Sequence, residues 1–314
     1  MQRPFRGGAA SNRLAGIELL VTGASGFLGH AVCAELLLRG HGVAALVRRP
    51  GSEPEGTRSV PGDLADGASL AAALADARPD CVVHLAAEIA SQRSADRIDE
   101  VNVRGTERLL QACLAGSRPR FVFVSTVVTG DAHGSLLEED SELPVQTAYG
   151  RSKREGERLV LASGLDAVIV RPSHVYGPGG WFAQEFVKRL SAPGRLAVIG
   201  SGENLWDVVR VEDVASAVAL AAERAAPGSV YHVVDDQPIS FYDFVALAAR
   251  ALGVGPPRRI PTPLARLVAG RDPVLAVTRS ARSSNAKIKR ELGWRPRFAT
   301  AAEGVPDAVG SLPS

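Results

Sequence analysis

The sequence predicts an α/β protein, a doubly wound parallel sheet with a smaller, mainly helical cap toward the C-terminus. Three observations carry this: short continuous Val/Ile/Leu runs bounded by turns, longer amphipathic runs alternating with them, and a glycine-rich junction, "VTGASGFLG" at residues 21–29, between the first run of each kind. In order, "IELLVTG" reads as a buried strand, "GFLGHAVCAELLLRG" as a helix stopped by Gly40, and "HGVAALVRR" as a second strand. "LAAALADA" is helical, "DCVVHLAA" a strand, "RIDEVNVRGTERLLQACLAG" a long helix and "RFVFVST" a further strand. Beyond Arg171 the alternation fades. "PSHVYGPGG" is turn-rich, "FVALAARALG" and "NAKIKRELGW" read as helices, and Pro256, Pro257, Pro261 and Pro263 interrupt the stretch between them. "VRVEDVASAVALAAERA" and "VYHVV" return to helix-and-strand packing on the sheet. The expected division is a disordered leader over 1–15, a sheet domain over 16–172 with 206–235, and a discontinuous cap over 173–205 with 236–314.

At 314 residues and 46% hydrophobic content the chain can bury a full core. Lys+Arg at 36 against Asp+Glu at 34 leaves a formal charge of +2, no broad field for nucleic acid or an anionic membrane. Cys33, Cys81 and Cys113 lack C-x-x-C spacing and sit in apolar surroundings, so packed core thiols and no metal site are expected. The leader is basic but has no apolar h-region, and no apolar run reaches the ~18 residues that span a bilayer. A soluble, cytoplasmic protein acting on a small molecule is the expectation.

The glycine junction is the first chemical signal. A strand passing straight into a helix through glycines puts free backbone N–H groups and the positive helix end where a pyrophosphate can sit. Gly23 permits the tight turn, Gly26 close approach of backbone to phosphate, and Gly29 close packing of the helix. At the end of the second strand an acid would bind ribose hydroxyls, but "ALVRRP" places Arg48 and Arg49 there. A guanidinium pairs with a 2′-phosphate, so NADP(H) is the preferred cofactor, Arg48 its stronger contact, and NAD(H) the alternative.

Tyr149 and Lys153 stand four apart in "TAYGRSKREGERL", at the start of a helix, so both rise on one face. A phenol with an ordinary pKa of ~10 is a poor base at neutral pH, and a nearby ammonium favours its ionised form. Lys153 can thus tune Tyr149.

The spacing T-G-x-x-G-x-x-G, at Thr22, Gly23, Gly26 and Gly29, resembles the short-chain dehydrogenase/reductase superfamily. Landmarks of its extended branch follow in order: "GDL" at 62–64, "HLAA" at 84–87, "NVRGT" at 102–106, "YGRSK" at 149–153, "RPSHVYGPG" at 171–179 and "ELGWRP" at 291–296. The resemblance covers roughly residues 16–305 and implies a Rossmann domain that binds NAD(P). It places the cofactor against Thr22, Ser25, Phe27 and Leu28 beside the three glycines, with Asp63 and Leu64 flanking the adenine. Leu85, Ala86, Ala87, Asn102, Pro172 and Val175 lie along the rest of it, and Lys153 holds the nicotinamide ribose. It also implies a Ser or Thr at the end of "FVFVST" that bonds the substrate oxygen, Thr126 first and Ser125 second, and a homodimer built on the two long helices.

Three departures narrow the reaction. Branch members that are 4,6-dehydratases carry an Asp-Glu pair after the catalytic Thr, and Val127 and Val128 stand there. The branch's epimerases tend to retain NAD, whereas the arginines point to NADP. Many sugar-nucleotide members bind the diphosphate with an Arg in a "G-x-G-x-x-x-R-D" stretch, and "GSGENLWDVVRV" places Trp206 there, with Arg210, Arg279 and Arg282 as candidates to compensate. The tail "SSNAKIKRELGWRP" resembles the hydroxysteroid and dihydroflavonol reductase side. The expected activity is an NADP-dependent ketone reductase or alcohol dehydrogenase on a small, apolar or polycyclic metabolite, with a nucleotide-sugar 4-ketoreductase or 4-epimerase as the alternative. Val127, Thr129, His174, Trp181, Phe182 and Trp206 are the pocket candidates.

Overall fold

The computed structural model describes residues 16–89, 94–192 and 197–312; the expected leader lies outside them. Seven strands form one sheet: β1 (Glu18–Thr22), β2 (Gly42–Val47), β3 (Arg58–Pro61), β4 (Cys81–His84), β5 (Arg120–Val124), β6 (Ala167–Pro172) and β7 (Val230–Val233). All neighbours run parallel, in the order 7-6-5-4-1-2-3. The order reverses between β1 and β4, and ligands of such sheets bind outside the carboxyl ends at that point. Thr22 stands level with both Leu46 and His84, and His84 with Phe123, so the expected site residues leave the sheet along one edge.

Burial on both faces explains the continuous apolar strands. One face packs Leu19, Val21, Val83 and Val122 against Val32, Cys33 and Leu36 of the first helix (Phe27–Leu38) and Val214 and Val218 of the Val211–Arg224 helix. The other packs Leu20, Val82 and Phe121 against Leu70 and Leu74 of the Gly67–Ala77 helix and Leu109 and Cys113 of the Gly105–Ala115 helix. The three cysteines are buried free thiols, pushed up to about 12 by burial.

A third apolar cluster gathers Tyr176, Phe182, Phe186, Trp206, Phe241 and Phe244 with Val305 and Ala308. This is the cap's core. Two expectations are corrected. Ile288, Leu292 and Trp294, assigned to the cap, pack in the sheet-face core, and the Trp294 indole donates to the Asp213 carbonyl (3.1 Å). The sequence reading named no strand at β3 or β6, yet both are hydrogen-bonded into the sheet.

Candidate active site

The glycine turn has the shape of a phosphate cradle. Gly23 has φ +70°, and a Cβ on it would lie 2.7 Å from the Ala86 nitrogen, so only glycine lets the turn touch the end of β4. A Cβ on Gly29 would lie 2.1 Å from the Gly23 carbonyl. Gly26 opens the first helix with no side-chain cap and no acid in the first turn, leaving its N–H groups to an anion. Ser25 and Gly26 are exposed, and Leu85, Ala86 and Ala87 half-buried beside the turn. These residues fit a dinucleotide pyrophosphate.

Behind the cradle lies a relay of hydrogen bonds. Thr22 Oγ1 accepts from Ala86 N–H (3.3 Å) and shares a hydrogen with His84 Nδ1 (2.6 Å), while His84 Nε2 meets Thr106 Oγ1 (2.9 Å). Thr106 donates to the Asn102 carbonyl (2.7 Å). Burial, aided by the Lys153 charge, lowers His84 to about 3, so the ring is neutral. Asn102 sits in a π-helical turn (Glu100–Arg104), accepts from Glu88 N–H, and donates to the Glu88 carbonyl and Ser152 Oγ (2.9 Å each). Thr22 and Asn102, expected to touch the cofactor, have their polar groups engaged within the protein. No pattern in the sequence announced His84, Thr106 or Ser152 as their partners.

Arg48 and Arg49 follow β2, both exposed, and neither forms an ion pair among the described residues. Asp63 Oδ1 accepts from the Ala65 N–H in an exposed local turn, and Leu64 packs against Gly105.

Thr147 caps the Ala148–Ala162 helix by accepting from Gly150 N–H (3.0 Å), which fixes Tyr149 and Lys153 in its first turns. Burial pushes the Tyr149 phenol up to about 12 and draws Lys153 down to about 7 against the opposing charge of Glu157. Burial therefore outweighs the expected pull of Lys153 on Tyr149. The two hydroxyls after β5 change places. Thr126 Oγ1 donates to the Pro172 carbonyl (3.1 Å) and accepts from Val128 N–H (2.9 Å), while Ser125 Oγ is buried with no protein partner. The hydroxyl left to bond another oxygen is Ser125.

Of the pocket candidates, Phe182 is fully buried among Tyr176, Trp181, Phe186 and Phe244, and Val127 is buried, its N–H donating to the Pro172 carbonyl and its own carbonyl accepting from Thr129 N–H and Arg279. Both are corrected to packing residues. Trp181 anchors the loop by donating to the Val175 carbonyl (2.7 Å). His174 stacks on Trp206 (4.1 Å, 4°) and its Nδ1 faces the Asp207 carbonyl (3.1 Å). Burial and the nearby Arg279 lower His174 to about 3, so Nδ1 carries the hydrogen and Nε2 is left as an acceptor. Thr129 Oγ1 and Trp206 Nε1 are buried without partners. Arg279 is buried, donates through Nη1 to the Val127 and Gly130 carbonyls, and leaves Nε and Nη2 unpaired. Among the described residues no group of His, Cys, Asp and Glu is placed to hold a metal, and no helix is long and apolar enough to cross a membrane.

Comparison with known proteins agrees with this geometry. Residues 19–234 match the NAD dependent epimerase/dehydratase family. A 3-diazoavenalumate denitrifying reductase of a Streptomyces species is 31% identical over 92% of this chain and 99% of its own length. A 2-alkyl-3-oxoalkanoate reductase of Stenotrophomonas maltophilia is 34% identical over 76% of each chain. Among solved structures, the dTDP-glucose 4,6-dehydratase of Streptomyces venezuelae, determined with NAD bound, superposes with a TM-score of 0.79 at 28% identity, covering 93% of this chain and 95% of that one. The chain belongs to the NAD dependent epimerase/dehydratase family and is an oxidoreductase of the extended short-chain dehydrogenase/reductase type.

Proposed function

We propose that the protein is an NADP-preferring ketone reductase, or alcohol dehydrogenase in reverse, acting on a small, largely apolar metabolite. The observation that carries the cofactor preference is the exposed, unpaired Arg48–Arg49 pair at the end of β2, where an acid would select NAD. Bound nicotinamide supplies the hydride. Tyr149, a phenol raised to about 12, holds its proton at neutral pH and is set to give it to the substrate oxygen. Ser125 Oγ donates a hydrogen bond to the same oxygen, and Lys153, one turn after Tyr149 in the helix, supplies positive charge while it is protonated. Thr126, Val127 and Val128 carry no acid, which removes the machinery of water elimination. Two reductase relatives, of a diazo compound and of an oxoalkanoate, support reduction over epimerisation. The half-buried His174 and the indole of Trp206 wall the substrate side.

Calorimetric titration with NADPH and NADH separately tests this. Tighter NADPH binding is expected; tighter NADH binding, or NAD retained through purification, would transfer the assignment to the nucleotide-sugar reading. That second reading draws on the dehydratase likeness and the unpaired Nε and Nη2 of Arg279, and a specific heat of binding for UDP or TDP would revive it. We also propose a homodimer through the two long helices, which a dimer mass in solution checks.

A further inference from the structure

Lys153 has an environment unusual for a lysine. The residue is buried, and among the described residues its ammonium makes no hydrogen bond or ion pair. Glu157, one turn on, is bound by Arg171 at both oxygens (2.8 Å each) and by Arg154 (2.6 Å). What the ammonium meets is the face of Phe123 in β5, 4.2 Å from the ring centroid. A cation within about 6 Å of a ring face is held by the ring's quadrupole, most strongly where water is excluded.

The helix is built to admit that ring. Gly156 lies in the interior of Ala148–Ala162, where glycine costs about 1 kcal/mol against alanine. A Cβ there would lie 2.7 Å from Phe123 Cζ, so the glycine is what allows the ring to seat against the helix. His84 supports the ring from β4 (centroids 5.6 Å apart) and is neutral, adding no charge against the ammonium. The charged and titratable neighbours are thus His84 across the ring, Glu157 committed to its arginines, and Tyr149 one turn before.

We infer that Phe123 is a positioning residue, holding Lys153 as a cation on its π face so that the ammonium remains beside Tyr149. The inference rests on the reductase reading for its catalytic consequence, but the contact can be read without turnover. Burial, opposed by the Glu157 charge, leaves Lys153 at about 7, at the edge of neutrality, and the ring face is a further favourable contact that resists loss of the proton.

The chain has four lysines, Lys153, Lys188, Lys287 and Lys289, so carbon-13 labelling of lysine Cε gives a spectrum that a Lys153→Met variant assigns. In Phe123→Leu the proton-binding constant of Lys153 is expected to fall about three- to thirtyfold. A trifluorinated phenylalanine placed at position 123 keeps the shape and weakens the π face, and is expected to move the titration in the same direction by less. Lys153 titrating as in the wild type in both would overturn the inference. In the reductase assay the alkaline limb of the pH profile should move down with the titration, and a limb that stays in place also counts against it. A wild-type protein reducing no ketone with NADPH would sink the reductase reading, while the titration still decides whether Phe123 holds the ammonium.

Discussion

The glycine-turn side and the cap side of the site treat their buried polar groups in opposite ways. Beside the turn, Thr22, His84, Thr106 and Asn102 hand hydrogen bonds to one another and to backbone, and their side chains carry no orphaned atom. On the cap side, Thr129 Oγ1, Trp206 Nε1 and Arg279 Nε and Nη2 are buried without protein partners. An unmet buried donor costs roughly 1–3 kcal/mol. The difference teaches that the first wall is completed by folding, whereas the second leaves donors unmet, which under the proposed function are free for groups a substrate brings. Ser125, at the seam, belongs with the second set although it stands at the end of a sheet strand.

The largest effect expected lies at that seam. Tyr149→Phe removes the proton donor and should lower NADPH-dependent reduction by about 10²–10⁴-fold, with calorimetric NADPH affinity little changed. Ser125→Ala should cut turnover more than Thr126→Val, because the Thr126 hydroxyl is engaged by Pro172 and Val128; the reverse order would return the role to Thr126. On the completed wall, Gly29→Ala drives a methyl into the Gly23 carbonyl and should cost about 1–3 kcal/mol of stability together with cofactor affinity, read by thermal melting and NADPH titration.

How much of this was legible depends on whether a residue's role is local. The glycine turn, the Tyr/Lys pair and the five strands with long apolar runs are short-range patterns, and the structure contains each of them. β3, "RSVP" at the sheet edge, buries only Val60 and so shows no apolar run; β6, "AVIVRP", does carry one, next to the turn-rich stretch where the alternation fades. Ser125 and Thr126 cannot be ranked by sequence, since the choice depends on whether the Pro172 carbonyl, 46 residues away, has already claimed one hydroxyl. Phe182 illustrates the same limit: a large aromatic after a turn suits a pocket or a core equally, and packing by Phe186 and Phe244 decided for the core.

Smaller effects sharpen the contrast. Arg48→Ala should weaken NADPH binding about tenfold and leave NADH unaffected, since the pair is exposed and screened. The pH profile has a defined sign. Lys153 is a cation below about 7 and neutral above it, so reduction that relies on its charge should fall as pH rises through that value, by about tenfold per unit well above it. Tyr149, at about 12, contributes no limb in this range.

The smallest expected change is the most informative about the cap. Trp206→Phe keeps an aromatic ring for His174 and Phe241 to stack against while removing a buried N–H that bonds nothing in the protein. The ring lost area weighs against stability and the removed orphan donor weighs for it, so the net shift in unfolding free energy should stay within about 1 kcal/mol. If KM nevertheless rises severalfold at unchanged kcat, the indole N–H is bonding the substrate in ground and transition state alike, and the cap side is a recognition surface as the contrast requires. An unchanged KM would make Trp206 a packing residue like Phe182, and the reserve of donors would narrow to Thr129 and Arg279.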